Sequence, residues 1–173
     1  NSFMSKVIEL FGQSINYDER INWTSLIQSQ HCPYLQSRCI KVRKSQPDIS
    51  IGTCSVIHSK KSIPIIICPH RLLERRQIFT DCLHLLTTHE PGNELHIIPE
   101  VKIPGGNVDY FLVSSFNNKV RDFVGIELQA LDSTGTVWPE RQRLLEELGV
   151  PTGDHQSQSK KTFGINWKMT AKT

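Results

Sequence analysis

The stretch Val108-Asp109-Tyr110-Phe111-Leu112-Val113-Ser114-Ser115, followed after the Asn117-Asn118-Lys119 turn by Phe123-Val124-Gly125-Ile126-Glu127-Leu128-Gln129-Ala130-Leu131, decides the fold. Both runs are short, β-branched or aromatic and bounded by turn residues, so both read as strands. In the second, Val124, Ile126, Leu128 and Ala130 fall on one face, and Glu127 and Gln129 on the other, because successive side chains of a strand alternate. Asp109 sits inside the first, otherwise apolar strand. If the two strands pair as a hairpin, Asp109 approaches Glu127. Two carboxylates held together in an apolar sheet are costly unless a cation neutralises them. A divalent Mg2+ bound through carboxylates and water does so, and such a site activates water against a phosphodiester. The plainer reading is the polar outer face of a half-exposed sheet.

Working outward, Glu94 to Ile103 reads as extended, and Pro104-Gly105-Gly106-Asn107 as a turn. Arg71 to Thr88 is predicted to be one helix, with Leu72, Phe79, Cys82, Leu83 and Leu86 along one side and Pro69 before its start. Trp138 to Leu148 is predicted helical, and Pro151 to Ser159 a polar loop. Ser2 to Phe11 is predicted to be a short amphipathic helix ended by Gly12, and Asn22 to Gln30 a second helix with Thr24 or Ser25 near its start. Ile49 to Ile57 and Ser62 to Ile67 read as short strands.

Four of the five cysteines, Cys32, Cys39, Cys54 and Cys68, lie in the irregular segment, spaced C-x6-C-x14-C-x13-C. In a cytoplasmic protein they are not expected to form disulfides. Four thiolates suit Zn2+ or a single iron, and a metal would compensate for a thin local core. Four separately buried cysteines are the other reading. His31, His58 and His70 sit beside three of them as substitute ligands. Cys82 is expected to pack in a core.

The 173 residues suffice for a packed core, with 38% hydrophobic residues. The net charge of +3 permits nucleic-acid binding without requiring it. Basic residues cluster at Arg38, Lys41, Arg43 and Lys44, at Lys60 and Lys61, and at Arg71, Arg75 and Arg76. Each cluster alone reads as a solvated face. No apolar run approaches the about 18 residues of a membrane span, and no secretory signal is visible, so a cytoplasmic location is expected. Phe163 to Thr173 reads as the start of a packed element, so a chain truncated at its C-terminus is expected.

The two constellations occur together, with particular wording: His31-Cys32-Pro33-Tyr34 with Cys39, Ile51-Gly52-Thr53-Cys54, Ile65-Ile66-Ile67-Cys68-Pro69-His70-Arg71-Leu72, Val108-Asp109-Tyr110, and Gly125-Ile126-Glu127-Leu128-Gln129-Ala130-Leu131-Asp132-Ser133-Thr134-Gly135. From about Cys32 to Thr170 the chain resembles the NotI-type restriction endonucleases, a branch of the PD-(D/E)xK nucleases with glutamine at the lysine position. The resemblance implies an α/β fold, a restriction-endonuclease-like mixed sheet flanked by helices with a small four-cysteine metal-binding subdomain. It implies residues 1–90 as N-terminal helices and the iron subdomain, and 91–173 as an incomplete catalytic core. Cys32, Cys39, Cys54 and Cys68 would hold a structural iron, zinc being the alternative. Asp109 and Glu127 would hold the catalytic Mg2+, and Gln129 would complete the site. A further upstream acid is expected at Glu94 or Glu100, with Glu100 preferred. The implied activity is site-specific hydrolysis of double-stranded DNA at a GC-rich palindrome by a homodimer, since cutting both strands of a palindrome needs two related sites. The alternative is a non-catalytic DNA-binding module with a structural metal site.

Overall fold

The computed structural model describes residues 5–16, 20–58, 62–131, 133–134, 137–152 and 164–165. In chain order the strands and helices are β1 (Val7–Leu10), β2 (Gln13–Ser14), α1 (Trp23–Ser29), β3 (His31–Cys32), β4 (Ser37–Arg38), β5 (Val42–Arg43), β6 (Gln46–Ser50), β7 (Thr53–His58), β8 (Ile63–Ile66), α2 (Gln77–Asp81), β9 (Glu94–Ile103), β10 (Gly106–Phe116), β11 (Lys119–Ile126), β12 (Ser133–Thr134), α3 (Val137–Glu147) and β13 (Gly164–Ile165). Short 3-10 helices lie at Pro69–Arg76 and Leu83–Leu85. The protein is thus mixed α/β, with several small sheets and few, short helices. Every described strand pairing is antiparallel.

Contacts divide the chain into two compact units, Asn1–Arg71 with Ala130–Thr173, and Leu72–Gln129. The sequence-based division at 90/91 therefore falls inside the second unit. The first unit is built on a four-stranded sheet in the order β2-β1-β7-β8. Its core joins Val7, Leu10, Phe11, Val56 and Ile67 to Val137, Leu144, Leu145 and Val150 of the α3 region. The amphipathic α3 is tied down at both ends: the Ser5 hydroxyl donates to the Glu140 carbonyl at 2.7 Å, and the Ser5 amide to the Glu147 carboxylate at 2.9 Å. Gly52 separates β6 from β7 with φ +68, and a Cβ there would run into the Phe11 ring. The second unit is a three-stranded meander, order β11-β10-β9.

Several expectations are corrected. Ser2 to Phe11 is not helical where described: Val7–Leu10 is a strand, its backbone paired with β7. Apolar residues at 7, 8, 10 and 11 suit either period, and the β-branched Val7-Ile8 together with the sheet partner decide it. Ile49 to Ile57 is two strands, broken at Gly52. Asn22, rather than Thr24 or Ser25, caps α1, its side chain accepting the Ser25 amide at 3.0 Å. Arg71 to Thr88 is not one helix but three short pieces, interrupted where Arg75 and Arg76 take φ of 53 and 54. The charged run Glu74-Arg75-Arg76 has no apolar position to anchor that turn to a core. The last strand of the meander runs over Lys119–Ile126, not 123–131. It begins early because Asn117 and Asn118, both left-handed, make a tight two-residue hairpin turn. Residues 2–4 of the expected first helix, residues 153–159 of the expected loop, Asp132 and most of the expected element at 163–173 lie outside the described residues.

Candidate functional site

The four cysteines all lie in the first unit and are all buried free thiols, 5–8% exposed. Cys32 ends β3 of a tight hairpin, and Cys39 follows its second strand, with its amide donating to the Gln30 carbonyl at 2.9 Å. The Ser50 hydroxyl donates to the Cys39 carbonyl at 2.6 Å. Cys54 lies on β7 and Cys68 just past β8, where the amides of Ile67 and Cys68 both donate to the Cys54 carbonyl, at 2.9 and 3.3 Å. Burial pushes the Cys54 thiol well up, opposed by an N–H from Gly12, with Glu9, Cys68 and Cys32 adding to the rise. Burial likewise raises Cys68, opposed by the His70 amide and Lys41, while Cys39 adds to it. The cysteines are therefore close enough to feel one another's charge, and backbone N–H groups point at two of the sulfurs. Backbone N–H bonds of that kind stabilise thiolates.

A buried carboxylate organises the same region. Glu9, 8% exposed, accepts from the Tyr34 hydroxyl at 2.7 Å and the Ser55 hydroxyl at 2.5 Å, and pairs with Arg71 at 2.8 Å. Tyr34 follows Cys32 by two residues, Ser55 adjoins Cys54, and Arg71 lies three beyond Cys68. One carboxylate thus ties three of the four cysteine segments together. Burial, and then the bond to Glu9, keep Tyr34 protonated. Sequence reading missed Glu9 because a helix was expected there. The signal was present: in Val-Ile-Glu-Leu, read as a strand, the acid falls on the same face as buried Val7.

The acids lie in the second unit. The β9–β10 pairing sets Val108 opposite Val101 and Tyr110 opposite Pro99, so Asp109 stands opposite Glu100. The β10–β11 pairing ends with Tyr110 opposite Ile126, one residue short of Asp109 and Glu127. Glu100 and Asp109 therefore face each other across β9 and β10 at one end of the sheet, and Glu127 follows directly on the end of β11. Glu100 has φ +51, an uncommon left-handed conformation for a side-chain-bearing residue inside a strand. Asp109 is half-buried; Glu100, Glu127 and Gln129 are exposed. Glu94, the other candidate, lies at the far end of β9, 3.4 Å from His96.

Glu127 and Gln129 do not lie on the strand, as expected, but in the segment after it. The Asp109 carboxylate accepts the Leu128 amide at 2.7 Å. That bond diverts a backbone donor from the ladder and ends β11 at Ile126. Tyr110, unremarked in the sequence, is raised by burial and then by Asp109 and Glu100, and packs edge-on against Phe79 at 5.2 Å. His31 is exposed, and His58 and His70 are half-buried. Cys82, expected in a core, is half-buried too.

Among the described residues, no group of three or more His, Cys, Asp or Glu is arranged so that it could hold a metal ion. The four thiols are buried donors of the type that zinc and iron take, and Glu100 and Asp109 are oxygen donors of the type that Mg2+ takes, but as placed they do not form such a group. No described helix is long and apolar enough to cross a membrane. Comparisons with protein-family models, with curated proteins and with solved structures find no match.

Proposed function

We propose that this chain carries the catalytic region of a Mg2+-dependent endonuclease for double-stranded DNA, of the kind its sequence resembles, with a structural iron or zinc ion on Cys32, Cys39, Cys54 and Cys68. The observation that carries this reading is the β9–β10 pairing that sets Glu100 opposite Asp109, with Glu127 directly after the strand that pairs on the other side of β10. Acids brought to one end of the sheet would be put to use by a divalent ion bound between them. Asp109 and Glu127 would hold the ion, Glu100 would serve as the upstream acid, and the Gln129 amide would orient the attacking water. When bound, Mg2+ supplies charge stabilisation to the phosphodiester. A type II enzyme of this kind acts as a homodimer on a palindrome, GC-rich in the family it resembles, in the cytoplasm, where thiols stay reduced. In this reading the acid-bearing sheet is the core of a restriction-endonuclease-like fold.

The test is cleavage of plasmid DNA by the full-length protein with Mg2+, giving discrete fragments. Asp109→Asn retains an acceptor for the Leu128 amide while removing the charge. It is expected to lower cutting by about a hundredfold or more, several kcal/mol of charge stabilisation at tenfold per 1.4 kcal/mol. Glu127→Gln, at an exposed position, is expected to do the same without touching the fold. Undiminished cutting by both variants defeats the site.

A second reading, a non-catalytic DNA-binding module, is favoured by the bond from the Leu128 amide, which gives Asp109 a purely structural use. It predicts retarded DNA on a gel with no cleavage under any divalent ion.

A further inference from the structure

A cavity of about 290 Å³ opens in the first unit among α1, β6 and α3, away from the cysteines and the acids. Ile27, Ile49, Trp138 and Leu145 form its apolar walls, and no acidic residue lines it. Mostly apolar walls with a few placed polar groups are the usual make-up of a small-molecule site. Here the one charge on the walls is positive. Arg141 lines the cavity and is only 3% exposed. Its Nε donates to the Ile51 carbonyl at 2.7 Å, its Nη1 to the Gln142 amide oxygen at 2.8 Å, and its Nη2 reaches the Ser50 carbonyl at 3.5 Å. A guanidinium has five N–H donors and no acceptor. These contacts occupy one donor on each nitrogen, which leaves one on each Nη. All three partners are neutral, and among the described residues no carboxylate pairs with Arg141. Burial pulls the group down to about 10, so it keeps its charge at neutral pH. A buried cation without an anionic partner is costly.

The glutamines at the cavity add donors to it. The Gln46 amide oxygen accepts from Arg43 Nη1 at 2.6 Å, and the Gln142 amide oxygen from Arg141. Those bonds settle how each amide is turned: the oxygen faces the cation and the NH2 group faces away from it. Neither NH2 group has a partner among the described residues. Gln30, the third amide lining the cavity, is already engaged on both sides. Its nitrogen donates to the Asp48 carbonyl at 3.0 Å, and its oxygen accepts the Ser50 amide. The cavity thus offers one positive charge, N–H donors still to be used and an apolar lining. The complementary guest is a monoanion with two acceptor oxygens and an apolar body. A carboxylate presents its two oxygens to a guanidinium in matching fork geometry.

We propose that this cavity binds a small organic monocarboxylate, with its carboxylate on Arg141 and the Gln46 and Gln142 amides and its apolar body against Ile27, Ile49 and Leu145. The guest supplies the anion that the buried guanidinium lacks. The site stands on the geometry of the first unit alone and depends on neither the metal nor the nuclease reading.

The experiment is calorimetry on the full chain with 2-naphthoate, set against its neutral counterpart 2-naphthamide and against acetate, which has the head without the body. Naphthoate is expected to bind saturably, one per chain, and about tenfold or more tightly than either. Gln142→Glu keeps the oxygen that Arg141 Nη1 binds and places the missing anion in the protein itself. It is expected to weaken naphthoate about tenfold or more, and to raise the melting temperature of the free chain, since the buried cation is then paired. Arg141→Gln removes the charge and is expected to lose as much affinity. Should that variant fail to fold, Gln142→Glu, at a half-buried position, decides. No saturable binding of naphthoate up to about 1 mM overturns the proposal. So does naphthamide or acetate binding as tightly as naphthoate, or a Gln142→Glu chain that binds naphthoate as the wild type does.

Discussion

In the first unit Val7, Leu10, Val56, Leu144 and Leu145 are 0–2% exposed. In the second, Leu95, Ile98, Ile103, Phe116, Val120 and Phe123 stand 42–63% exposed on strands that make up most of the unit. The first gathers short, irregular segments around a dense centre and adds buried charges to it. The second lets long regular strands hold themselves by ladder hydrogen bonds over a thin core. A three-stranded meander is near the lower limit for independent stability. Ladder regularity suits the second unit to presenting acids in register, whereas the first spends its packing on fixing sulfurs. The contrast teaches that regular structure and dense burial are separate resources, and that each candidate site draws on only one.

The sharpest way to break this comparison is to disturb the cysteine segments. If the proposed metal is bound, Cys54→Ser forfeits a large part of a binding energy of about 10 kcal/mol or more. Hydrogen exchange is expected to show protection lost over 31–68 and 137–147 and kept over 94–126. Equal loss in both would make them one cooperative body. Next in size, Leu144→Ala opens a cavity in the dense core and should cost about 2–5 kcal/mol. Ile98→Ala, 43% exposed, should cost under about 1 kcal/mol. Thermal denaturation measures both, and comparable losses would refute the difference in packing.

The fold was legible wherever one local rule sufficed. Glu94–Ile103 and Val137–Glu147 follow from their own periodicity, and the hairpin turn at Asn117-Asn118 from the residue types that tolerate left-handed backbone. Val7–Leu10 was not legible, because two turns of apolar spacing fit a helix as well as a strand, and only its partner β7, far along the chain, breaks the tie. The acids were half legible. Asp109 reads as a strand residue and is one, whereas Glu127 falls past the end of β11, and the opposition of Glu100 to Asp109 depends on a register that the sequence does not state. Arg141 was invisible. Nothing in Glu-Arg-Gln-Arg says which arginine is buried, since that is settled by the carbonyls of Ser50 and Ile51.

The smallest effects concern pH, and here the units should part in opposite directions. Burial raises Cys54 and Cys68 above the ordinary thiol value of 9.0. The stability this contributes is present below that value and is lost as the pH climbs above it. Stripped of metal by a chelator, the first unit should melt progressively lower above pH 9.0, whereas with metal holding the thiolates the dependence should vanish. In the second unit the Thr88 amide, 2.8 Å from Asp122, holds that carboxylate below its ordinary 3.8. Its contribution is present above that value and fades as the pH falls below it. The effect is slight, because Asp122 faces solvent, and Asp122→Asn should flatten it. A second unit that softened in alkali instead would undo the assignment.

The first unit is assembled from two separated lengths of chain, and the second from one. During synthesis the meander can therefore complete itself as soon as its own last strand has emerged. The cysteine segments must wait for Val137–Glu147, the helix that brings Arg141. Until then Cys32 and Cys39 lack the apolar cover that Val137, Leu144 and Leu145 supply, so the first unit closes only after α3 has emerged.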